Sequence, residues 1–318
     1  MNKKKVLITS AIVTAFLASA STVSGILLTN KLMYIPPKNI HFTHRREKRA
    51  HRYDENWFDN CPRTELYIDS PNGYMIRGTF YQPLVTTNTV IISHGVTENK
   101  INSMKYVRMY ERLGYNTVVY DHRRHGESGG ATTSYGYYEK LDMKAVVDEV
   151  RMIIGEHAVL GIHGESMGAA TTLLYGGMVH DNADFYISDC AFSEFKQLLR
   201  KIVKETISIQ LEMAVVITDL TMRIRDGYHF NAVSPIQAVQ NIQKPVLFIH
   251  SKHDDFIPSS MAQDLYDAKV NGERELALFE EGEHAQSFNS NPDAYEKCVH
   301  QFLTKHVRKN WPTLFGAS

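Results

Sequence analysis

The chain has 318 residues, 43% of them hydrophobic, and sets 35 basic against 35 acidic side chains. That length suits one large domain with an appendage or two small domains, and the neutral balance excludes a general nucleic-acid binder and a global field for steering charged substrates. Cys61, Cys190 and Cys298 are too scattered for a disulfide framework or a zinc site, and Cys190, closing an apolar run, reads as a buried small residue.

At the N-terminus, Lys3, Lys4 and Lys5 precede Val6–Leu28, 23 residues without a charge. About 20 such residues suffice to cross a bilayer. The same stretch also parses as a signal peptide, with an apolar core Val6–Leu17 and small residues at Ala18-Ser19-Ala20. Residues 1–30 are therefore expected to export the chain. They do so either as a single-pass anchor with the remainder outside the cytoplasm, or as a leader removed near Ala20. The apolar run continues through Gly25-Ile26-Leu27-Leu28, which favours the anchor. Residues 31–61 are expected to be a basic linker, a solvated connector or one that touches anionic headgroups. Its Lys31, Lys38, Arg45, Arg46, Lys48 and Arg49 sit on the flank that the positive-inside rule leaves poor in cations.

From residue 62 to 318 strand-like and helix-like runs alternate. Strands are expected at Thr64–Asp69, Tyr74–Tyr81, Thr89–Ser93, Thr117–Asp121, Ala158–His163, Phe185–Asp189, Val246–His250 and Glu275–Phe279. Helical patterns fall at Ser103–Leu113, Glu139–Ile154, Met167–Met178, Ser259–Ala268 and Asp293–His306. Two opening strands without a helix between them, followed by alternation, predict an eight-stranded, mostly parallel sheet with an antiparallel edge and helices on both faces. The alternation breaks after the sixth strand, where residues 193–234 read as a helical cap laid over the sheet. His94, Asp121, His163, Asp189 and His250 follow apolar runs at the strand ends, where such sheets bind ligands. His163 and His250 are expected to be core histidines bonded to loop backbone.

The most informative stretch is Gly164-Glu165-Ser166-Met167-Gly168, set between a strand and a helix. A serine at the apex of so sharp a turn projects its hydroxyl from the top of the sheet, and the Met167 amide points into the same space as an oxyanion donor. The flanking glycines leave room for the strand and helix to meet. A serine hydroxyl needs a base, and the base needs an acid to fix its tautomer. Asp254 lies in the turn after the strand Val246–His250, and His284 lies in a Gly-x-His loop after the last strand, giving the order serine, acid, histidine. Asp255 and Asp189 are rival acids; the four-residue distance to Pro258 favours Asp254. Glu165 is expected to face a buried polar neighbour or solvent.

These motifs together resemble the α/β-hydrolase fold serine hydrolases over about residues 62–308. Ser93-His94-Gly95-Val96 is similar to that family's His-Gly oxyanion loop, which implies Val96 as the second amide donor. Asp121-His122-Arg123-Arg124-His125-Gly126-Glu127-Ser128 resembles its Asp-x-Arg-Gly-x-Gly-x-Ser loop, with histidine or arginine where glycine is usual. The overall look is similar to small single-anchor hydrolases of Gram-positive bacteria, and Ser-His-Gly-Val-Thr-Glu-Asn-Lys resembles the bacterial feruloyl and cinnamoyl esterases. The expected activity is hydrolysis of a small-molecule carboxyl ester through an acyl-enzyme on Ser166, with no cofactor and no metal. The triad does not choose its leaving group, so a peptidase or thioesterase is the alternative, and a silent tethered binding module is another. Activity is expected to fall in acid as His284 takes up a proton.

Overall fold

The computed structural model describes residues 21–206 and 211–307. Residues 21–33 are helical (α1) and lead to α2 (Ile40–Arg49) and α3 (Glu55–Asn60). Side-chain caps start both of the latter: Asn39 accepts the His41 amide and Asp54 the Trp57 amide. The sheet strands are β1 (Arg63–Asp69), β2 (Met75–Tyr81), β3 (Thr89–Ser93), β4 (Asn116–Tyr120), β5 (Leu160–Glu165), β6 (Phe185–Asp189), β7 (Val246–Ser251) and β8 (Arg274–Phe279). Between them come α4 (Met104–Arg112), α5 (Glu139–Ile154), α6 (Met167–Met178), α7 (Phe195–Thr206), α8 (Leu211–Asp226), the one-turn α9 (Pro235–Ala238) and α10 (Ser260–Ala268). The short α11 (Ser287–Ser290) and α12 (Pro292–His306) follow β8.

The eight strands lie in the order β1-β2-β4-β3-β5-β6-β7-β8. β1 pairs antiparallel with β2, and β2 with β4; every other neighbour is parallel. The central strands are buried throughout because successive side chains feed opposite layers. Ile91, Val118, Ile162 and Phe248 pack against α5 and α6, whose Val147, Val150 and Leu173 complete that layer. Val90, Ile92, Val119, Ile187 and Leu247 face α4 and α12, with Tyr106, Tyr110, Tyr295 and Phe302. The expected strands and helices are all present, with ends displaced by one or two residues. The largest displacement is β5, which starts at Leu160 and runs on through Glu165 to the turn.

A third apolar cluster joins the cap to the top of the sheet: Phe195, Leu198, Leu199, Val215 and Met222 from α7 and α8 meet Met167 and Leu174, with Val96 at its edge. Leu32 and Met33 at the end of α1 belong to this cluster as well. Gly25 permits the contact between α1 and α8, since a Cβ there would lie 2.1 Å from Thr221 Oγ1.

Two N-terminal expectations change. Most of the expected span Val6–Leu28 lies in residues 1–20, outside the described residues; its last part, 21–28, belongs to the helix packed on the cap. Among the described residues no helix is long and apolar enough to cross a membrane. The basic stretch His41–Arg52 is a docked helix and turn rather than a solvated connector. Arg46 and Arg52 converge on the buried carboxylate of Glu47 at 2.7 Å each, and Arg46 reaches on to Glu98 at 2.8 Å. Arg46, Lys48 and Arg52 thus have carboxylate partners in the fold, whereas Arg45 and Arg49 face solvent.

Candidate active site

β5 runs into a turn so tight that a Cβ on Gly164 would lie 2.3 Å from the Gly168 carbonyl oxygen, and one on Gly168 would lie 2.0 Å from that of Ser93. Ser166 at the apex takes φ 56° and ψ −117°, a backbone state that costs a non-glycine residue of order 1–3 kcal/mol. The neighbouring strand holds it there, the Ser166 amide donating to the Asp189 carbonyl at 2.8 Å. α6 starts at the next residue, so the hydroxyl stands at a helix N-terminus.

His284 comes from the β8–α11 loop. Gly282 takes φ 112° there, and a Cβ on it would press to 2.8 Å from Ser251 Oγ. His284 Nε2 is 2.8 Å from Ser166 Oγ, and its Nδ1 is 2.7 Å from Asp254 Oδ2. Asp254 sits in the β7–α10 turn, where the amides of Phe256 and Ile257 donate to its Oδ1 at 3.0 and 2.8 Å. Its Oδ2 also lies 3.0 Å from His250 Nε2, which is in turn 2.8 Å from the Ile257 carbonyl oxygen. Burial alone would raise the Asp254 pKa; the donors from His250 and His284 overcome it and hold the carboxyl well below the usual carboxylate range.

The amides of Val96 and Met167 have no acceptor among the described residues. Gly95 brings the Val96 loop against the serine, a Cβ at 95 falling 3.3 Å from Ser166 Cβ. The loop is held from below by histidines. His122 N donates to His94 Nε2 at 3.0 Å, which leaves His94 Nδ1 to donate to the Gly95 carbonyl at 2.7 Å, and His125 Nε2 accepts the Thr97 amide at 3.1 Å. Burial keeps His94 and His125 neutral, their pKa values lowered to about 4. From outside, the Lys38 amide donates to the Thr97 carbonyl at 2.7 Å, and Lys38 and Arg46 both bind Glu98.

The structure thus brings Ser166, His284, Asp254 and the Val96 and Met167 amides together and separates their rivals. Asp255 is exposed. Asp189 accepts from Ser287 Oγ at 3.1 Å and the Tyr295 hydroxyl at 3.0 Å. His163 lies in the core as expected, but its partners are the hydroxyls of Tyr110 and Tyr295 rather than loop backbone. Glu165 is buried and paired with Lys105 and the Tyr106 hydroxyl. Arg124 stands where the resemblance expects glycine, and its φ of 63° explains that preference; its Nη1 donates to the Ile35 carbonyl at 2.6 Å. Sequence reasoning missed His250 as a donor to Asp254, although its place at the end of β7, four residues before the acid, was a usable signal. It also missed the contact of residues 38–46 with the oxyanion loop, for which no local pattern exists. Cys190 Sγ approaches the acid and histidine, the three donor atoms lying within 4.8 Å of one another. The imidazole and carboxylate are engaged with each other and burial pushes the thiol pKa well up, so the donor set suits a hydrogen-bonded relay rather than a metal.

Residues 86–221 match a family described as serine aminopeptidase, S33. The uncharacterized protein YqkD of Bacillus subtilis is 42% identical over 303 residues, covering 95% of this chain and 97% of YqkD. The chain belongs to the α/β-hydrolase serine hydrolases. Among solved structures in this fold, the Pyrococcus furiosus esterase Pf2001 aligns with a TM-score of 0.65 at 22% identity, covering 80% of this chain and 96% of the esterase. Est1E from Butyrivibrio proteoclasticus, solved with ferulic acid bound, aligns at 0.59 and 17%, covering 77% of this α/β-hydrolase and 100% of Est1E. At these identities the two structures establish the fold alone.

Proposed function

We propose that this α/β-hydrolase cleaves carboxyl esters of small molecules through an acyl-enzyme on Ser166. The observation that carries the reading is the unbroken chain from Ser166 Oγ through His284 to Asp254, beside the Val96 and Met167 amides, which have no acceptor among the described residues. Ser166 Oγ attacks the carbonyl carbon while His284 Nε2 takes its proton and Asp254 holds the imidazole in the tautomer that can accept it. The carbonyl oxygen becomes an oxyanion bonded by the Val96 and Met167 amides, each such donor being worth about 3 kcal/mol. The tetrahedral adduct collapses, His284 protonates the departing alkoxide, and water activated by the same imidazole hydrolyses the acyl-enzyme. Esterases among the structural relatives support an ester substrate; the serine aminopeptidase description of the matching family favours a peptidase as the second reading. A silent binding module would have no need to keep the whole relay. We also propose that the N-terminal apolar run exports the chain, with the hydrolase domain outside the cytoplasm, and protease shaving of intact cells tests that orientation.

A fluorophosphonate probe is expected to label the wild type and leave Ser166→Ala unlabelled. Equal labelling of both would remove Ser166 as the nucleophile, and no labelling of either would favour the silent module. A panel of p-nitrophenyl esters beside aminoacyl and feruloyl substrates separates the ester reading from the peptidase one.

A further inference from the structure

We propose that the outer face of the cap, formed by α8 and the adjoining α1, lies on a lipid bilayer. Along α8, Met213, Val216, Leu220 and Ile224 recur at intervals of three and four residues, within an arc of about 80° at 100° per residue. Val215, Thr218 and Met222 occupy the opposite side of the helix and are buried against the domain. Its flank carries Ile217, Thr221 and Arg225, which hold α1: the first two meet Gly25, and Arg225 Nη1 donates to Thr29 Oγ1 at 2.6 Å. On α1 the inward stripe is Gly25, Thr29 and Leu32, and Val23 and Leu27 point away from it. The four outward residues of α8 and these two of α1 are each between 54% and 77% exposed. An amphipathic pair of helices normally turns such residues inward, and exposed apolar stripes on two adjoining helices mark a docking surface.

The occupant follows from how the chain reaches this face. The uncharged run starts at Val6, and α1 is already seated on α8 by Gly25. Val6–Ala20 is fifteen residues, which reach about 22 Å as a helix, short of the roughly 30 Å hydrocarbon core. A membrane-crossing segment must therefore draw on the first turns of α1, which brings the α8 face to the bilayer surface. Lys31 and Arg223 are exposed beside it, suited to anionic headgroups. A second copy of the chain offers this face the same charges and explains no part of the short run.

The test uses the full chain reconstituted in vesicles of phosphatidylcholine and phosphatidylglycerol that contain a lipid with a photoactivatable diazirine in its acyl chain. Labelling is expected in peptides from 21–28 and 211–226, and absent from α5, whose Met152 is equally exposed to solvent. Labelling confined to residues before 21, or none in 211–226, overturns the proposal. As an independent measure, tryptophan fluorescence from Leu220→Trp and Ile224→Trp is expected to be quenched by brominated acyl chains at least threefold more strongly than that from Met152→Trp, and equal quenching overturns it. Disulfide cross-linking of Val216→Cys between copies, with no lipid labelling of 211–226, assigns the face to a second copy instead. Neither readout involves hydrolysis, so failure of the catalytic reading leaves this test intact.

Discussion

Asp254 and Asp255 are adjacent in sequence, and the turn after β7 gives them opposite fates. Asp254 collects two backbone amides, His250 and His284, while Asp255 is left in solvent. Its donors keep the Asp254 carboxyl ionised through the whole working pH range, so it is always available to accept the hydrogen bond from His284 Nδ1–H. Asp254→Asn removes that acceptor charge and favours the wrong imidazole tautomer, a change that typically costs about 10⁴ in kcat. Asp255→Asn touches none of these bonds and is expected to leave kcat within twofold. Steady-state kinetics on one p-nitrophenyl ester compares the two, and equal losses would show that the acid has been misassigned.

At the scale of elements, the oxyanion loop is shaped by a segment far from it in sequence. Lys38 bonds the Thr97 carbonyl and Glu98, Arg46 reaches both Glu47 and Glu98, and Asn99 returns bonds to the Lys38 carbonyl at 3.1 Å and to Thr43 Oγ1 at 2.9 Å. Val96 lies within this clasp, next to Thr97 with its φ of 66°. Arg46→Ala is expected to lower kcat about tenfold, or ~1.4 kcal/mol, with KM within twofold, because the loosened Val96 amide serves the oxyanion more than the bound substrate. Arg46→Lys should recover part of the loss. A change in KM alone would mean that the clasp shapes the substrate pocket and leaves the oxyanion donors in place. The strands and the relay were legible in the sequence because each is written locally. Val90-Ile91-Ile92 is a doubly covered strand on its face, and Gly-x-Ser-x-Gly carries its own turn. The clasp was hidden because a run such as His44-Arg45-Arg46-Glu47-Lys48-Arg49 reads as solvated charge until Glu98, some fifty residues on, is folded against it. Arg124 was visible as a departure from the resemblance, but only its backbone angle and its bond to Ile35 show how an arginine is held there.

For the whole molecule, the sum of buried titratable groups sets how the domain responds to acid. His94 and His125 have pKa values lowered to about 4 and His163 to about 3, all by burial, against about 6.5 for an unfolded chain. Below pH 6.5 the unfolded chain takes up protons that the folded one refuses. The stability these groups provide is complete above that pH and is lost as the pH falls toward their folded values, by about 2 kcal/mol per histidine at pH 5. Asp121 and Asp189 act with the opposite sign. Burial raises both to about 6, so their contribution is full below the unfolded value near 3.9 and is lost as the pH rises through 6. At pH 5 they return about 1 kcal/mol each, less than the histidines remove. The domain is therefore expected to unfold at lower urea concentration at pH 5 than at pH 7.5. His163→Gln, which keeps a polar side chain between the hydroxyls of Tyr110 and Tyr295, should flatten the dependence by about one proton. Asp189→Asn should steepen the net loss toward acid by removing a group that opposes it. Urea midpoints measured for the three proteins across this range decide the matter: a wild type equally stable at both pH values would mean that the buried histidines exchange protons freely in the folded state.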